Sequence, residues 1–172
     1  MSERPSRDFV LMETAKLWAQ RSTCSRLQVG CVIARDSRIL TTGYNGAPSG
    51  MAHCNHDCTC GQAKPIEGYG EGAMSHRNGC NALKPCILSV HAEANAIAFA
   101  ARYGLMLQDA ALYTTHMPCP NCCLLIVNSG LKVVVWEIDF RDESGLKTLE
   151  EGKVAFGRYR PGEHFDDMMN HE

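Results

Sequence analysis

Two short motifs constrain this chain more than any other feature: His91-Ala92-Glu93 and Pro118-Cys119-Pro120-Asn121-Cys122. Each opens a stretch with a helical pattern, so a fold that uses them jointly has to bring two helix N-termini together. The motifs offer three metal ligands and one carboxylate left over. A histidine and a Cys-x-x-Cys pair fill three of the four tetrahedral positions of Zn²⁺, leaving the fourth for a water whose pKa the metal lowers towards ~7. Glu93 then reads as a general acid and base beside His91, Cys119 and Cys122. Each half alone has a plainer explanation. A His and a Glu two apart fit a helix start with a solvated acid, and Cys-x-x-Cys fits a redox pair or half of a zinc ribbon. A redox pair needs no His-x-Glu upstream, and a ribbon needs a second Cys-x-x-Cys, which the sequence does not contain.

At 172 residues the chain is one domain's worth, long enough for a single buried core. Its net charge of -2, with Lys and Arg scattered, excludes the basic footprint of a protein that grips long nucleic acid. A mononucleotide needs only one or two cations. No apolar run approaches a membrane span, and the opening Met1 to Asp8 is polar, so the ten cysteines point to a reducing, cytoplasmic setting. Reduced thiols clustered with histidines favour metal; Cys31 and Cys123 fit better as small buried hydrophobes.

Apolar residues from Phe9 to Ala19 recur at helical spacing, predicting a helix from about Asp8 to Arg21. Val29 to Ala34 and Ile39 to Tyr44 flank Arg35-Asp36-Ser37-Arg38 as a hairpin. Residues 46–88 carry Gly, Pro, Cys and His without sustained periodicity, and a loop that long in a compact domain calls for something to hold it. Ala92 to Arg102 is rich in helix formers and is followed by Gly104, a terminator. Then come a strand from Ala111 to Thr115, a helix from Pro120 to about Ser129, and a buried strand from Lys132 to Trp136. A helix from Glu143 to Glu151 and a weak strand around Val154 to Phe156 complete the pattern. Strands alternating with helices after residue 90 make the chain α/β, with part of the sheet parallel.

The pattern H-x-E…P-C-x-x-C is that of the zinc nucleobase deaminases, and at greater length the chain resembles the deoxycytidylate (dCMP) deaminases of the cytidine deaminase superfamily, phage and bacterial type. The resemblance rests on Arg21 to Gly30, on Thr42-Gly43-Tyr44-Asn45-Gly46-Ala47-Pro48-Ser49-Gly50, on His91 to Ile97 and on Pro118 to Cys122. It implies a three-layer α/β/α sandwich around a mixed sheet of about five strands, and zinc-dependent hydrolysis of dCMP to dUMP with release of ammonia. Glu93 would relay a proton to N3 of the cytosine ring and then to the leaving ammonia. It further implies Asn45 at the sugar or base edge, although Asn-Gly is also a turn signal, with Ala92 and Pro118 lining the substrate. Arg26 is a candidate for the 5′-phosphate and Arg141 a second, because a guanidinium matches phosphate geometry; a solvated surface arginine explains Arg26 nearly as well. Members of this branch are often hexamers regulated by dCTP and dTTP. That would give a homo-oligomer, hexamer or dimer, with Mg²⁺ accompanying the triphosphate. Gly43, Tyr44, Gly46, Phe99 and Arg102 match the effector positions, while Phe99 equally suits an ordinary core position.

Between Gly50 and His91 lie His53, Cys54, His56, Cys58, Cys60, His76, Cys80 and Cys86. A structural zinc needs four ligands and would order this Cys/His-rich insertion at about 50–88. By the resemblance its ligands would be Cys24, Cys54 and Cys86, with Cys80 or His76 as the fourth. His56, Cys58 and Cys60 are extra to the common pattern and could serve a third zinc.

Two rival functions compete. One is a deaminase with another substrate: a free nucleoside, tRNA adenine or a C5-modified dCMP. The Gly-Tyr-Asn-Gly segment disfavours the first and the lack of a basic face the second. The other is a non-enzymatic zinc-binding module, in competence or DNA uptake, which leaves Glu93 without purpose.

Overall fold

The computed structural model describes residues 4–24, 27–51, 64–65, 74–75, 89–140 and 142–162. Arg26, Arg141 and the loop residues Cys54, His56, Cys58, Cys60, His76, Cys80 and Cys86 lie outside these, so both phosphate candidates, the third zinc site and all of the second but Cys24 fall beyond the described residues.

The elements follow the sequence pattern closely. Helix α1 (Arg7–Ala19) starts at Ser6, whose hydroxyl accepts from the Phe9 N–H. Strands β1 (Gly30–Arg35) and β2 (Arg38–Tyr44) form the hairpin, turned by Asp36 and Ser37, both at positive φ (51° and 63°) as a two-residue hairpin loop requires. A short antiparallel pair, β3 (Lys64–Pro65) and β4 (Met74–Ser75), lies within the 46–88 stretch. Helix α2 (Ala92–Tyr103) ends at Gly104 with φ +65°, a left-handed cap that glycine adopts freely. Strand β5 (Ala111–His116), helix α3 (Pro120–Asn128), strand β6 (Val133–Ile138), helix α4 (Ser144–Glu151) and strand β7 (Ala155–Arg158) complete the chain.

The main sheet has the order β2-β1-β5-β6-β7. The hairpin side is antiparallel, including β1 against β5, and β5, β6 and β7 run parallel through the α3 and α4 crossovers. Because side chains alternate across a strand, each strand feeds two cores. Cys31, Ile33, Leu112, Val134 and Trp136 face Ala92, Ala96 and Ala100 of α2, Cys123 and Ile126 of α3 and Leu149 of α4. Val32, Ala34, Tyr113 and Val135 face Leu11, Met12 and Ala15 of α1. This is the three-layer α/β/α sandwich with a mixed five-stranded sheet. Cys31 and Cys123 are fully buried in the first core, as the hydrophobe reading of both requires.

Close packing of α2 positions the site. Ala92, Ala96 and Ala100 present only methyl groups to the sheet, and Gly43 on β2 removes the last obstacle. A Cβ at Gly43 would lie 2.1 Å from the Ala92 carbonyl oxygen, far inside contact distance. The segment before the helix is tied as well: Gly46 and Val90 exchange backbone hydrogen bonds of 3.1 and 2.9 Å, delivering the chain to His91.

Candidate active site

His91 and Cys119 occupy the same structural position, the N-cap of a helix, and neither side chain caps its own helix. Each is therefore free to face the other. His91 Nδ1 stands 3.3 Å from Cys119 Sγ and 3.4 Å from Cys122 Sγ, and the three ligand atoms all lie within 4.8 Å of one another. With Zn–S near 2.3 Å and Zn–N near 2.0–2.1 Å, the N···S edge of a tetrahedron is about 3.5 Å. The observed spacing and the donor set both fit zinc. Pro120 at the first position of α3 presets its backbone dihedral angle for the helix and lacks an N–H that would go unpaired there.

The thiols are electrostatically unlike. Cys119 is lowered to about 4, first because Cys122 donates a hydrogen bond to it and further by His91, with burial opposing. Cys122 is pushed up by the same hydrogen bond and by burial. Both would hold a dication as thiolates. His91 is raised, chiefly by its hydrogen bond with Cys119 and against its desolvation.

Glu93, in the first turn of α2, is only 4% exposed. Oε1 accepts from the Thr114 hydroxyl at 3.4 Å, and Oε2 lies 3.6 Å from Cys122 Sγ. Burial holds its carboxyl above the usual carboxylate range, partly offset by the charge on His91. A buried carboxyl beside three metal ligands and not counted among them is placed to accept and return a proton.

The remaining expected residues divide. Asn45 is buried, and its amide is largely spent within the protein: Oδ1 accepts from the Val29 N–H (2.9 Å) and the Ser22 hydroxyl (2.6 Å), while Nδ2 donates to Leu27 O (2.8 Å). Among the described residues one amide hydrogen has no acceptor. Ala92 has no exposed surface and the Pro118 side chain is fully buried. Gly46, like Gly43, is needed for close approach, since a Cβ there would meet Thr23 Oγ1 at 2.2 Å. Tyr44 stacks on Trp18 at 6.1 Å between ring centroids. Phe99 is not a core residue. It is 49% exposed and packs on Tyr103 at 4.4 Å, with the Arg102 guanidinium 5.8 Å from the Tyr103 ring. Cys24 is buried. Thr114 escaped the sequence reading: a threonine in a strand is unremarkable, and only the alternation of β5, which turns positions 112 and 114 towards α2, could have hinted at its contact.

Fold and site together define a zinc-binding deaminase domain. Residues 5–138 match the family model for the cytidine and deoxycytidylate deaminase zinc-binding region, and the chain belongs to that family. It is 32% identical to ComE operon protein 2 of Bacillus subtilis over 99% of this chain and 80% of that protein. It is 40% identical to the deoxycytidylate deaminase of Mycobacterium phage D29, over 77% of this chain and 95% of the phage protein. The yeast relatives it matches are longer, and the chain spans just under half of each. Among solved structures, the cyanophage S-TIM5 dCMP deaminase in complex with dCMP and dUMP superposes with a TM-score of 0.69 at 28% identity, covering 92% of this chain and all of the other.

Proposed function

We infer that this protein is a dCMP deaminase, hydrolysing dCMP to dUMP and ammonia and so supplying dUMP for thymidylate synthesis. The observation that carries the reading is the buried Glu93 carboxylate set against the His91, Cys119 and Cys122 triangle without joining it. Bound zinc supplies Lewis acidity, which makes water a nucleophile near neutral pH. His91, Cys119 and Cys122 hold the metal. Glu93 accepts one proton from the attacking water and delivers it to N3 of the cytosine ring, then takes the second from the new C4 hydroxyl and delivers it to the amine, which departs as ammonia. Asn45, with that amide hydrogen, addresses the substrate, and Arg26 and Arg141 are the candidates for its phosphate. The deaminase names of the phage and yeast relatives and the dCMP and dUMP in the cyanophage structure support this choice.

The finer parts of the proposal follow. The chain is one domain with a Cys/His-rich insertion, in which Cys24 joins Cys54, Cys86 and either Cys80 or His76 around a structural zinc. His56, Cys58 and Cys60 are open to a third. Gly43, Tyr44, Gly46, Phe99 and Arg102 serve a dCTP or dTTP effector with Mg²⁺, in a homo-oligomer working in the cytoplasm. The exposure of Phe99 and Arg102 supports their availability to such a ligand. Among the described residues no helix is long and apolar enough to cross a membrane.

A second reading is a zinc module without catalysis. Ammonia release from dCMP, measured beside cytidine, dCTP and 5-methyl-dCMP, separates them. Turnover of dCMP above the other three supports the deaminase; release from none of them supports the module.

A further inference from the structure

The sheet beneath the start of α2 is built from one row of paired residues. Gly43 pairs with Cys31, Cys31 with Thr114, and Thr114 with Trp136. Cys31 and Trp136 belong to the core that α2, α3 and α4 cover, the Thr114 hydroxyl meets Glu93 of α2, and Gly43 is where that helix touches the sheet. Gly43 admits the backbone of Ala92, which lowers the first turn onto the row. Within it Thr114 alone carries a hydroxyl, and Thr114 is 0% exposed. A buried hydroxyl costs free energy unless it is paired, and the partner of this one is Oε1 of Glu93 at 3.4 Å. The other carboxylate oxygen lies 3.6 Å from Cys122 Sγ.

We propose that Thr114 is the positioning residue for Glu93, the neutral donor that keeps the carboxylate aimed at the substrate. This rests on the deaminase reading above. A side-chain hydroxyl suits the task because it can donate to the carboxylate and, after a rotation, accept from the carboxylic acid, so it follows Glu93 through both protonation states. Valine has nearly the same shape and would fill the same space without donating.

The test uses the zinc-loaded full chain and two variants, Thr114→Val and Thr114→Ser. T114V is expected to keep its zinc content and melting temperature and to bind dCMP with KM within about twofold of the parent, while kcat falls about 10- to 100-fold, the range set by one hydrogen bond to a charged group or a slightly misplaced reacting group. T114S is expected to recover most of kcat. Crystal structures of zinc-loaded T114V and the parent supply a readout that does not depend on turnover: the Glu93 carboxylate should leave its place in the variant only. Parental kcat in T114V, equal slowness in T114S, or an unmoved Glu93 would each overturn the proposal. If the parent itself fails to deaminate dCMP, the functional reading falls, and the position of Glu93 in the two crystal structures still decides the role of Thr114.

Discussion

Helices α1 and α2 close on opposite sides of the same hairpin by the same device. A Cβ at Gly30 would lie 2.1 Å from the Ala15 carbonyl oxygen of α1, and one at Gly43 would lie 2.1 Å from that of Ala92 in α2. The clearances match, yet the helices meet their glycines at different places. Helix α1 rests on Gly30 with its C-terminal half, around Ala15 and Ala19, and carries no metal ligand near the contact. Helix α2 rests on Gly43 with its first turn, the turn that follows His91 and contains Glu93. The same packing interaction is thus purely structural on one face and positions chemistry on the other. Strand β5 serves both: the Thr115 hydroxyl accepts from the Gly30 N–H at 3.2 Å, and Thr114 donates to Glu93.

The largest effect should come from removing the chemistry while keeping the packing. Glu93→Gln is expected to lower dCMP turnover by about 10³-fold or more, near the upper range for general acid and base catalysis. Zinc content should be retained, because the carboxylate is no ligand; metal loss on this change would show that Glu93 belongs to the coordination sphere. Removing the packing on each side in turn sharpens the comparison. Gly43→Ala and Gly30→Ala each force backbone apart and are expected to destabilise by about 3 kcal/mol in denaturant unfolding. Only G43A, which displaces the first turn of α2, should also weaken zinc binding and turnover in the molecules that remain folded. Equal zinc loss in G30A would erase the distinction between the two faces.

The smallest effect concerns His116 at the end of β5, whose pKa is lowered by burial against a weaker pull from Glu137. The native chain therefore resists protonating a group that the unfolded chain protonates near 6.5. Stability should fall as pH drops through about 6.5 and level off below the lower native value. Urea unfolding across pH 5 to 8 should show His116→Gln flattening that slope; an unchanged slope would assign it to other groups.

Legibility from the sequence followed the range of the interactions. Helix and strand limits were readable to within a few residues because caps, Pro120, Gly104 and apolar spacing are local signals. The ligand set was readable because His91, Glu93, Cys119 and Cys122 fall at fixed offsets on two helix starts. Phe99 shows where spacing fails: its period suits a buried position, but alanines at 92, 96 and 100 already fill the face that meets the sheet, and the ring is left outside. Asn45 shows where identity alone says only part. Its identity suggested a ligand contact, while the fold spends most of its amide on Val29, Ser22 and Leu27.

The sequence by itself determined that two helix starts carry three soft and borderline ligands and one spare acid, and that strands and helices alternate around them. Tertiary structure alone decided that β1 sits between β2 and β5, that Cys31 and Thr114 fall in register beneath α2, and that Glu93 lies buried on a threonine hydroxyl. Register between distant strands is set by the closing of both cores at once, so no local stretch of sequence contains it.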